Sequence, residues 1–154
     1  MTSPAPVSFA DVQKAAFAIA GTLQRTPLVA APALSARLGC TILLKLETQQ
    51  ATGSFKERGA LVKLAALTPE ERRRGVIACS AGNHAQGVAY HARRLGIAAT
   101  IVMPQDTPFS KVARTEAHGA AVRLAGRDLD AAEAEAHAVA ARDGLVFVHP
   151  YDDP

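Results

Sequence analysis

The chain has 154 residues, of which 49% are hydrophobic and 20% are charged. This size and composition suit a folded domain with a buried core and exclude intrinsic disorder. No apolar run approaches the roughly 20 residues that are needed to cross a bilayer. Basic residues are mixed with acidic ones, and the chain offers only five Phe, two Tyr and no Trp for stacking on bases, so the net charge of +3 does not indicate nucleic-acid binding.

The placement of cysteine and histidine argues against metal binding. Cys40 and Cys79 lie far apart with no metal-ligand spacing, and the five histidines form no H-x3-H or H-E-x-x-H pattern. Residues 1–7 carry no basic residue followed by an apolar stretch, so we expect no secretory signal. We therefore expect two free thiols in a reducing, cytoplasmic environment, with Cys79 a small core residue rather than a nucleophile.

The amino-terminal part of the sequence predicts two helices and a strand. Apolar residues recur at helical spacing over 12–23, and Pro32–Leu38 predicts a short helix that a glycine ends. Residues 41–46 predict a strand for which the neighbouring sequence offers no partner. The polar stretch 49–54 is typical of a domain boundary.

Beyond this boundary, predicted helices and strands alternate. Gly75, Gly96, Gly119 and Gly144 each separate a helical pattern from a short apolar run. Uninterrupted apolar runs of this kind are typical of parallel strands that are covered on both faces. The predicted fold class is therefore α/β, an open parallel sheet with helices on both faces. The predicted strands are 76–79, 98–103, 121–125 and 145–148.

The first segment that carries chemistry is T-G-S-F-K-E-R-G-A, residues 52–60. A loop of small residues leads here into a predicted helix whose first turn carries Lys56. The positive end of the helix dipole disfavours an ammonium ion, so a lysine at this position is easier to hold as the neutral amine that Schiff-base chemistry needs. Taken alone, however, the segment fits an ordinary surface lysine near a helix start better.

The second segment is S-A-G-N-H-A-Q-G, residues 80–87, between a predicted strand and a predicted helix. In open α/β sheets, ligands bind beyond the carboxyl ends of the strands. Successive backbone N–H groups from Ser80 to His84 can hold a carboxylate or a phosphate. Gly82 lets the backbone approach a ligand closely, and Asn83 offers both a donor and an acceptor. A capped strand–helix turn without a ligand is an equally good interpretation of this segment alone.

Together the two segments resemble the fold-type II pyridoxal-phosphate enzymes, specifically the threonine/serine ammonia-lyases, or dehydratases. The R-T-P-L run at 25–28 and the H-P-Y-D-D-P run at 149–154 match the same family. The resemblance extends over about 9–154. It implies an enzyme of amino-acid metabolism, in threonine catabolism or isoleucine biosynthesis, with pyridoxal 5'-phosphate as cofactor. The implied reaction converts L-threonine, or L-serine, to 2-oxobutanoate, or pyruvate, and ammonia.

The resemblance also implies roles for individual residues. Lys56 would form the Schiff base with the cofactor and later remove the substrate Cα proton, and Phe55 would lie beside the cofactor ring. Asn83 would hydrogen-bond the ring hydroxyl. Serine racemases carry a second serine where this chain has Ala81, so the resemblance favours elimination over racemisation. The substrate carboxylate would be held by the turn made of Ser80, Ala81, Gly82, Asn83 and His84.

By resemblance, we expect the chain to be the N-terminal portion of a longer enzyme, or a truncated relative. Residues 1–48 would belong to the family's larger domain, 49–149 would form the smaller α/β domain, and 150–154 would begin the return to the larger one. The family holds the cofactor phosphate in a glycine-rich loop, and the sequence has no Gly-Gly pair. We therefore expect weak or no activity from this chain alone.

Two alternatives stay open at this point. One is a non-catalytic α/β module for anion binding or oligomerisation, and the other is a serine dehydratase or racemase of the same family. The expected partners are a small amino-acid substrate and, for the full-length enzyme, further copies of itself. We expect no nucleic acid, membrane or metal partner.

Overall fold

The computed structural model of the protein describes residues 7–153. Residues 1–6 belong to the stretch in which the sequence predicts no secretory signal, and Pro154 ends the predicted return segment; both lie outside the described residues. The first elements are helix α1 (Phe9–Ala18), strand β1 (Leu28–Ala30), helix α2 (Pro32–Leu38), strand β2 (Leu43–Lys45) and a 3-10 turn (Glu47–Gln49).

A regular alternation of helices and strands follows. Its elements are α3 (Lys56–Ala66), α4 (Pro69–Arg74), β3 (Val76–Cys79), α5 (Asn83–Leu95), β4 (Ala99–Met103), α6 (Phe109–Ala117), β5 (Ala121–Leu124), α7 (Leu129–Asp143) and β6 (Val146–Phe147). The longest of these helices has 15 residues. Within residues 7–153, none combines the length and the apolar character that a transmembrane span needs.

The last four strands form one parallel sheet in the order β5-β4-β3-β6. In its centre, Val76 of β3 is paired with Ala99 on one side and with Val146 on the other. Helices α5, α6 and α7 make the connections between consecutive strands. The predicted α/β class is therefore confirmed. Each of the four strands predicted for this sheet is present, with ends that differ by at most one residue from the prediction.

Strand β3 is buried along its whole length because both faces of the sheet are covered. Val76 and Ala78 pack into a cluster that includes Leu64 of α3 and Val88 of α5. The alternate residues of β3 pack on the opposite face against the alanine-rich side of α7. Burial on both faces stabilises the strand by roughly 25 cal/mol for each Å² of apolar surface. The burial of β3 thereby fixes the position of the carboxyl end of the sheet.

The amino-terminal strands form a sheet of their own. Strand β2 pairs with β1 in an antiparallel register that places Val29 opposite Leu44. The expectation that residues 41–46 lack a nearby partner is therefore wrong. The partner was missed because it is only three residues long and lies between Pro27 and Pro32, which gives it no recognisable strand pattern.

Helix α1 is shorter than the periodicity over 12–23 predicts. It ends at Ala18 because Gly21 adopts a left-handed φ of 75°, which is incompatible with a continuing helix. No residue of α1 is buried, and the side chains of β1 and β2 are exposed. The assignment of residues 1–48 to a larger domain stays a prediction.

The carboxylate of Glu47 fastens this amino-terminal segment to α3. It accepts hydrogen bonds from Arg58 Nε at 2.9 Å and Arg58 Nη2 at 2.7 Å. The hydroxyl of Thr26 donates to the same carboxylate at 2.5 Å. The hydrogen bonds from Arg58 lower the pKa of Glu47 to about 2, with a smaller contribution from Thr26.

Acidification should therefore release the amino-terminal segment first. A carboxyl group whose pKa is lower in the folded state stabilises that state above its unfolded pKa, and the contribution is lost as the pH falls toward the folded pKa. For Glu47, the loss should run from about pH 4.5 down to about 2. Hydrogen exchange, corrected for intrinsic rates, should show protection falling in 28–45 before it falls in Val76–Cys79.

Glu47→Gln provides the matched variant, since it keeps the side-chain shape and removes the charge. We expect it to weaken protection of 28–45 already at pH 7 and to abolish its dependence on pH between about 4.5 and 2. Equal loss of protection in 28–45 and in Val76–Cys79 would contradict the role of Glu47 in holding the amino-terminal segment.

Candidate active site

A cleft of about 540 Å³ lies at the carboxyl edge of the parallel sheet. Its walls come from α3, α6, α7 and the segments that follow β3, β4 and β6. This edge is where open α/β sheets bind ligands, and the volume is typical of a small-molecule site. The lining residues are Lys56, the run 79–84, Pro104, Lys111, Leu129, Glu133, His149, Pro150 and Tyr151.

Lys56 is the first residue of α3, as the sequence predicts. The hydroxyl of Ser54 accepts a hydrogen bond from the Lys56 backbone N–H at 3.2 Å, which fixes the turn that enters the helix. The side-chain amine donates to the carbonyl of Pro150 at 2.6 Å and lies 4.4 Å from the ring centroid of Tyr151. The amine therefore faces the cleft and does not extend into bulk solvent.

The turn between β3 and α5 presents backbone donors to the same cleft. The Ser80 N–H donates to Val102, and the Gly82 N–H donates to the Ser80 hydroxyl. Within residues 7–153, the N–H groups of Ala81, Asn83 and His84 have no acceptor. They lie at the positive end of a 13-residue helix, where an anion is favoured.

The side chain of His84 holds this turn against the end of the sheet. The residue is 6% exposed. Burial lowers the pKa of His84, so the imidazole is neutral at pH 7. Its Nε2–H donates to the carbonyl of Val148 at 3.0 Å, and the first turn of α5 is thereby attached to the end of β6.

Helix α5 also touches the backbone of Lys56 directly. A Cβ atom added at Gly87 would lie 3.3 Å from the carbonyl carbon and oxygen of Lys56. The glycine therefore allows a closer approach of the two helices than a larger residue would. The lysine and the backbone donors are held in one rigid unit.

The predicted site residues are mostly brought together. Lys56 and the five residues of the 80–84 turn line one cleft. Phe55 does not line it: its side chain is 60% exposed, and its ring centroid lies 5.6 Å from the Lys56 amine. The role of Phe55 beside a cofactor ring stays a prediction.

Several lining residues were not predicted as site residues. Pro150 and Tyr151 follow β6, Lys111 lies on α6, and Glu133 lies on α7. Parallel strands bring the segments after their carboxyl ends to one edge of the sheet, so the topology alone could have indicated the residues after β6. The described residues include no group of three or more His, Cys, Asp or Glu side chains that could hold a metal ion.

Cys79 ends β3 at the floor of the cleft. Burial, with a smaller contribution from the Glu133 carboxylate, raises the pKa of its thiol to about 11. A thiol with this pKa is a poor nucleophile at neutral pH. This agrees with the sequence interpretation of Cys79 as a small core residue.

Alkylation should distinguish the two thiols. Cys40 is exposed, whereas Cys79 is 5% exposed and is about a thousandth ionised at pH 8. Iodoacetamide should therefore modify Cys40 at least about a hundredfold faster, as measured by peptide mass spectrometry. Unfolding in guanidinium should remove the difference. Comparable rates in the native protein would show that the Cys79 thiol is open to solvent and would contradict its role as a core residue.

The chain matches one known protein family over most of its length. Residues 19–154 match the family described as "Pyridoxal-phosphate dependent enzyme". The chain belongs to this family. Its cleft therefore lies in an enzyme fold whose members use pyridoxal phosphate, a cofactor with an aldehyde that reacts with lysine amines.

Individual relatives agree with this assignment. The chain is 47% identical over 148 residues to an L-threonine ammonia-lyase of Thermotoga maritima, covering 96% of this chain and 37% of that protein. The processed form of threonine deaminase isoform 2 from Solanum lycopersicum has 38% identity and a TM-score of 0.85, with 99% of this chain and 43% of that chain covered. Maize serine racemase has 33% identity and a TM-score of 0.85, with 92% and 43% covered.

The chain thus spans less than half the length of these relatives, and it matches their N-terminal part. The residues of the cleft fit the family's cofactor. A primary amine is aimed into the cleft, and three N–H groups at a helix start, which have no acceptor within residues 7–153, offer a place for an anionic group.

Proposed function

We propose that this chain carries the reactive lysine and the substrate-carboxylate site of a pyridoxal-phosphate-dependent threonine ammonia-lyase, which converts L-threonine to 2-oxobutanoate and ammonia. The observation that carries the proposal is that the Lys56 amine and the free N–H groups of the 80–84 turn open into one cleft. The similarity to an L-threonine ammonia-lyase at 47% identity supports it.

Lys56 would bind the cofactor aldehyde and transfer the substrate proton. When bound, pyridoxal phosphate supplies an electron sink for the charge that develops when a proton leaves the amino-acid Cα. The Lys56 nitrogen would take that proton, and the β-hydroxyl would leave with one proton as water. Addition of a water molecule to the resulting free enamine would then give 2-oxobutanoate and ammonia. The Pro150 carbonyl and the Tyr151 ring orient the Lys56 side chain within the cleft.

The first turn of α5 would bind the substrate carboxylate. The N–H groups of Ala81, Asn83 and His84 have no competing acceptor among the described residues, and all three residues line the cleft. Fixing the carboxylate orients the Cα–H bond toward the base, which is a large part of what such an enzyme must supply. Asn83 is exposed at the mouth of the cleft, where its amide could hydrogen-bond a cofactor ring, and we propose this role for it.

Racemisation is the reaction most closely related to the proposed one. Maize serine racemase shares the fold at 33% identity. In this chain, the residue after Ser80 is Ala81, whose methyl group cannot exchange a proton with the second face of a substrate. Ala81 therefore favours elimination, from threonine or from serine. Self-association of the whole protein and a cytoplasmic location stay predictions from the sequence.

Reductive trapping tests the assignment of Lys56. The chain is incubated with pyridoxal phosphate and reduced with borohydride, and the pyridoxyl group is located by peptide mass spectrometry. The other lysines (Lys14, Lys45, Lys63 and Lys111) serve as internal controls in the same molecule. We expect Lys56 to hold at least about ten times the label of any other lysine, because its amine is oriented inside the cleft.

Lys56→Ala should remove this label and leave the label on the other lysines unchanged, whereas Lys14→Ala should leave the Lys56 label intact.

A turnover assay compares the candidate reactions: L-threonine, L-serine or D-serine is added, and the oxo acid that forms is measured. We expect slow or undetectable turnover by the 154-residue chain, because it spans 37% of its threonine ammonia-lyase relative. An even distribution of label would refute the proposal and favour the non-catalytic alternative.

A further inference from the structure

Glu57 and His91 are buried in the protein core, 1% and 0% exposed, and neither lines the cleft. Oε2 of Glu57 lies 3.3 Å from Nε2 of His91. Among the described residues, neither nitrogen of the His91 ring has a partner with hydrogen-bond geometry. A buried polar pair that is only partly satisfied is destabilising relative to apolar packing. Buried polar groups that break the usual rules of packing are concentrated at functional sites. The reaction proposed above does not use Glu57 or His91.

Glu57 fastens the loop that leads to Lys56. Its Oε1 accepts a short hydrogen bond from the backbone N–H of Thr52, five residues earlier. The carboxylate therefore closes the stretch 52–57 into a ring. Within that ring, Gly53 has a left-handed φ of 73° and the Ser54 hydroxyl accepts from the Lys56 N–H. The conformation of the residue that carries the amine depends on this closure.

His91, on α5, packs against the same carboxylate. It lies four residues after Gly87, which touches the Lys56 backbone, so the two residues share one face of the helix. The edge of the Tyr90 ring packs against His91 with the ring centroids 5.0 Å apart. Helix α5 thus contacts the first turn of α3 at a backbone point and at a side-chain point. The two contacts together fix the orientation of α3 relative to α5, whereas a single contact would leave α3 free to rotate.

We propose that Glu57, packed against His91, is a positioning residue that aims the Lys56 amine at the first turn of α5. The carboxylate acts on the reaction through the backbone of loop 52–57 and touches neither substrate nor cofactor. This inference rests on the proposed role of Lys56, but it makes a statement about loop geometry that can be measured without the cofactor.

The test compares three variants of the full chain. Glu57→Ala removes the acceptor, and Glu57→Gln keeps an acceptor for Thr52 but loses the charge. Leu64→Ala is the matched control, because Leu64 is a fully buried residue of the same helix that packs in the apolar core. It should lower the stability of the whole chain without touching the loop.

Two ratios are measured for each variant well below its unfolding temperature. The first is the hydrogen-exchange rate of the 52–56 amides divided by the rate of the same amides in the wild-type chain, while the Val76–Cys79 amides report global stability. The second is the borohydride-trapped pyridoxyl label on Lys56 divided by that on the exposed Lys14. A loop that opens locally exchanges at a rate that does not follow the global stability, so global destabilisation alone leaves both ratios near the wild-type values.

We expect Glu57→Ala to raise the exchange ratio about tenfold and to lower the label ratio several-fold, because an N–H without its acceptor opens readily. Glu57→Gln should change the exchange ratio about threefold in the same direction, since a neutral acceptor binds less strongly than a carboxylate. If Glu57→Ala fails to fold, the glutamine variant decides the question. Leu64→Ala should leave both ratios near the wild-type values.

The proposal is overturned if the Glu57 variants leave the exchange ratio unchanged, or if Leu64→Ala changes both ratios as strongly as they do. A wild-type protein without preferential label on Lys56 would instead contradict the proposed function. The exchange ratio would still decide whether Glu57 positions the loop, so the two failures are distinguishable.

Discussion

The close contact between helices α5 and α3 governs the geometry of the cleft. At Gly87 the two backbones approach so closely that an added Cβ would lie 3.3 Å from the carbonyl group of Lys56. Helix α5 follows the 80–84 turn, whose Ala81, Asn83 and His84 N–H groups have no acceptor among residues 7–153, and α3 starts with Lys56 itself. One packing contact between glycine and backbone therefore sets the position of a primary amine relative to these N–H groups.

The parallel sheet fixes the positions of the segments that meet at this contact. Strand β3 is fully buried between two apolar layers, and its carboxyl end delivers the 80–84 turn at a fixed place. His84 ties that turn to the end of β6 through Val148. The Lys56 side chain reaches across to Pro150, which also follows β6. The cleft is thus built from rigid elements, as a site that must orient a substrate requires.

Most of the α/β unit could be predicted from the sequence because its signals are local. Short apolar runs bounded by glycines predicted the four strands of the parallel sheet, and the loop before Lys56 predicted the start of α3. The pairing of β1 with β2 could not be predicted in this way, because three-residue strands carry too little pattern. Glu57 and His91 lie on different helices, so only the tertiary structure reveals that they are neighbours. The same holds for Lys111 and Glu133 in the cleft wall.

The central claim is that the Lys56 amine and the backbone donors of the 80–84 turn act on one bound molecule. An amide-resolved NMR titration tests it most directly, with pyridoxal phosphate added first and L-threonine second. As L-threonine is added to the chain loaded with pyridoxal phosphate, we expect the N–H signals of Lys56, Ala81, Asn83 and His84 to shift together along one saturation curve. We expect Lys56→Ala to abolish the shifts of all four at the same concentrations of both ligands. Shifts that saturate independently at the two segments, or that survive in Lys56→Ala, would contradict it.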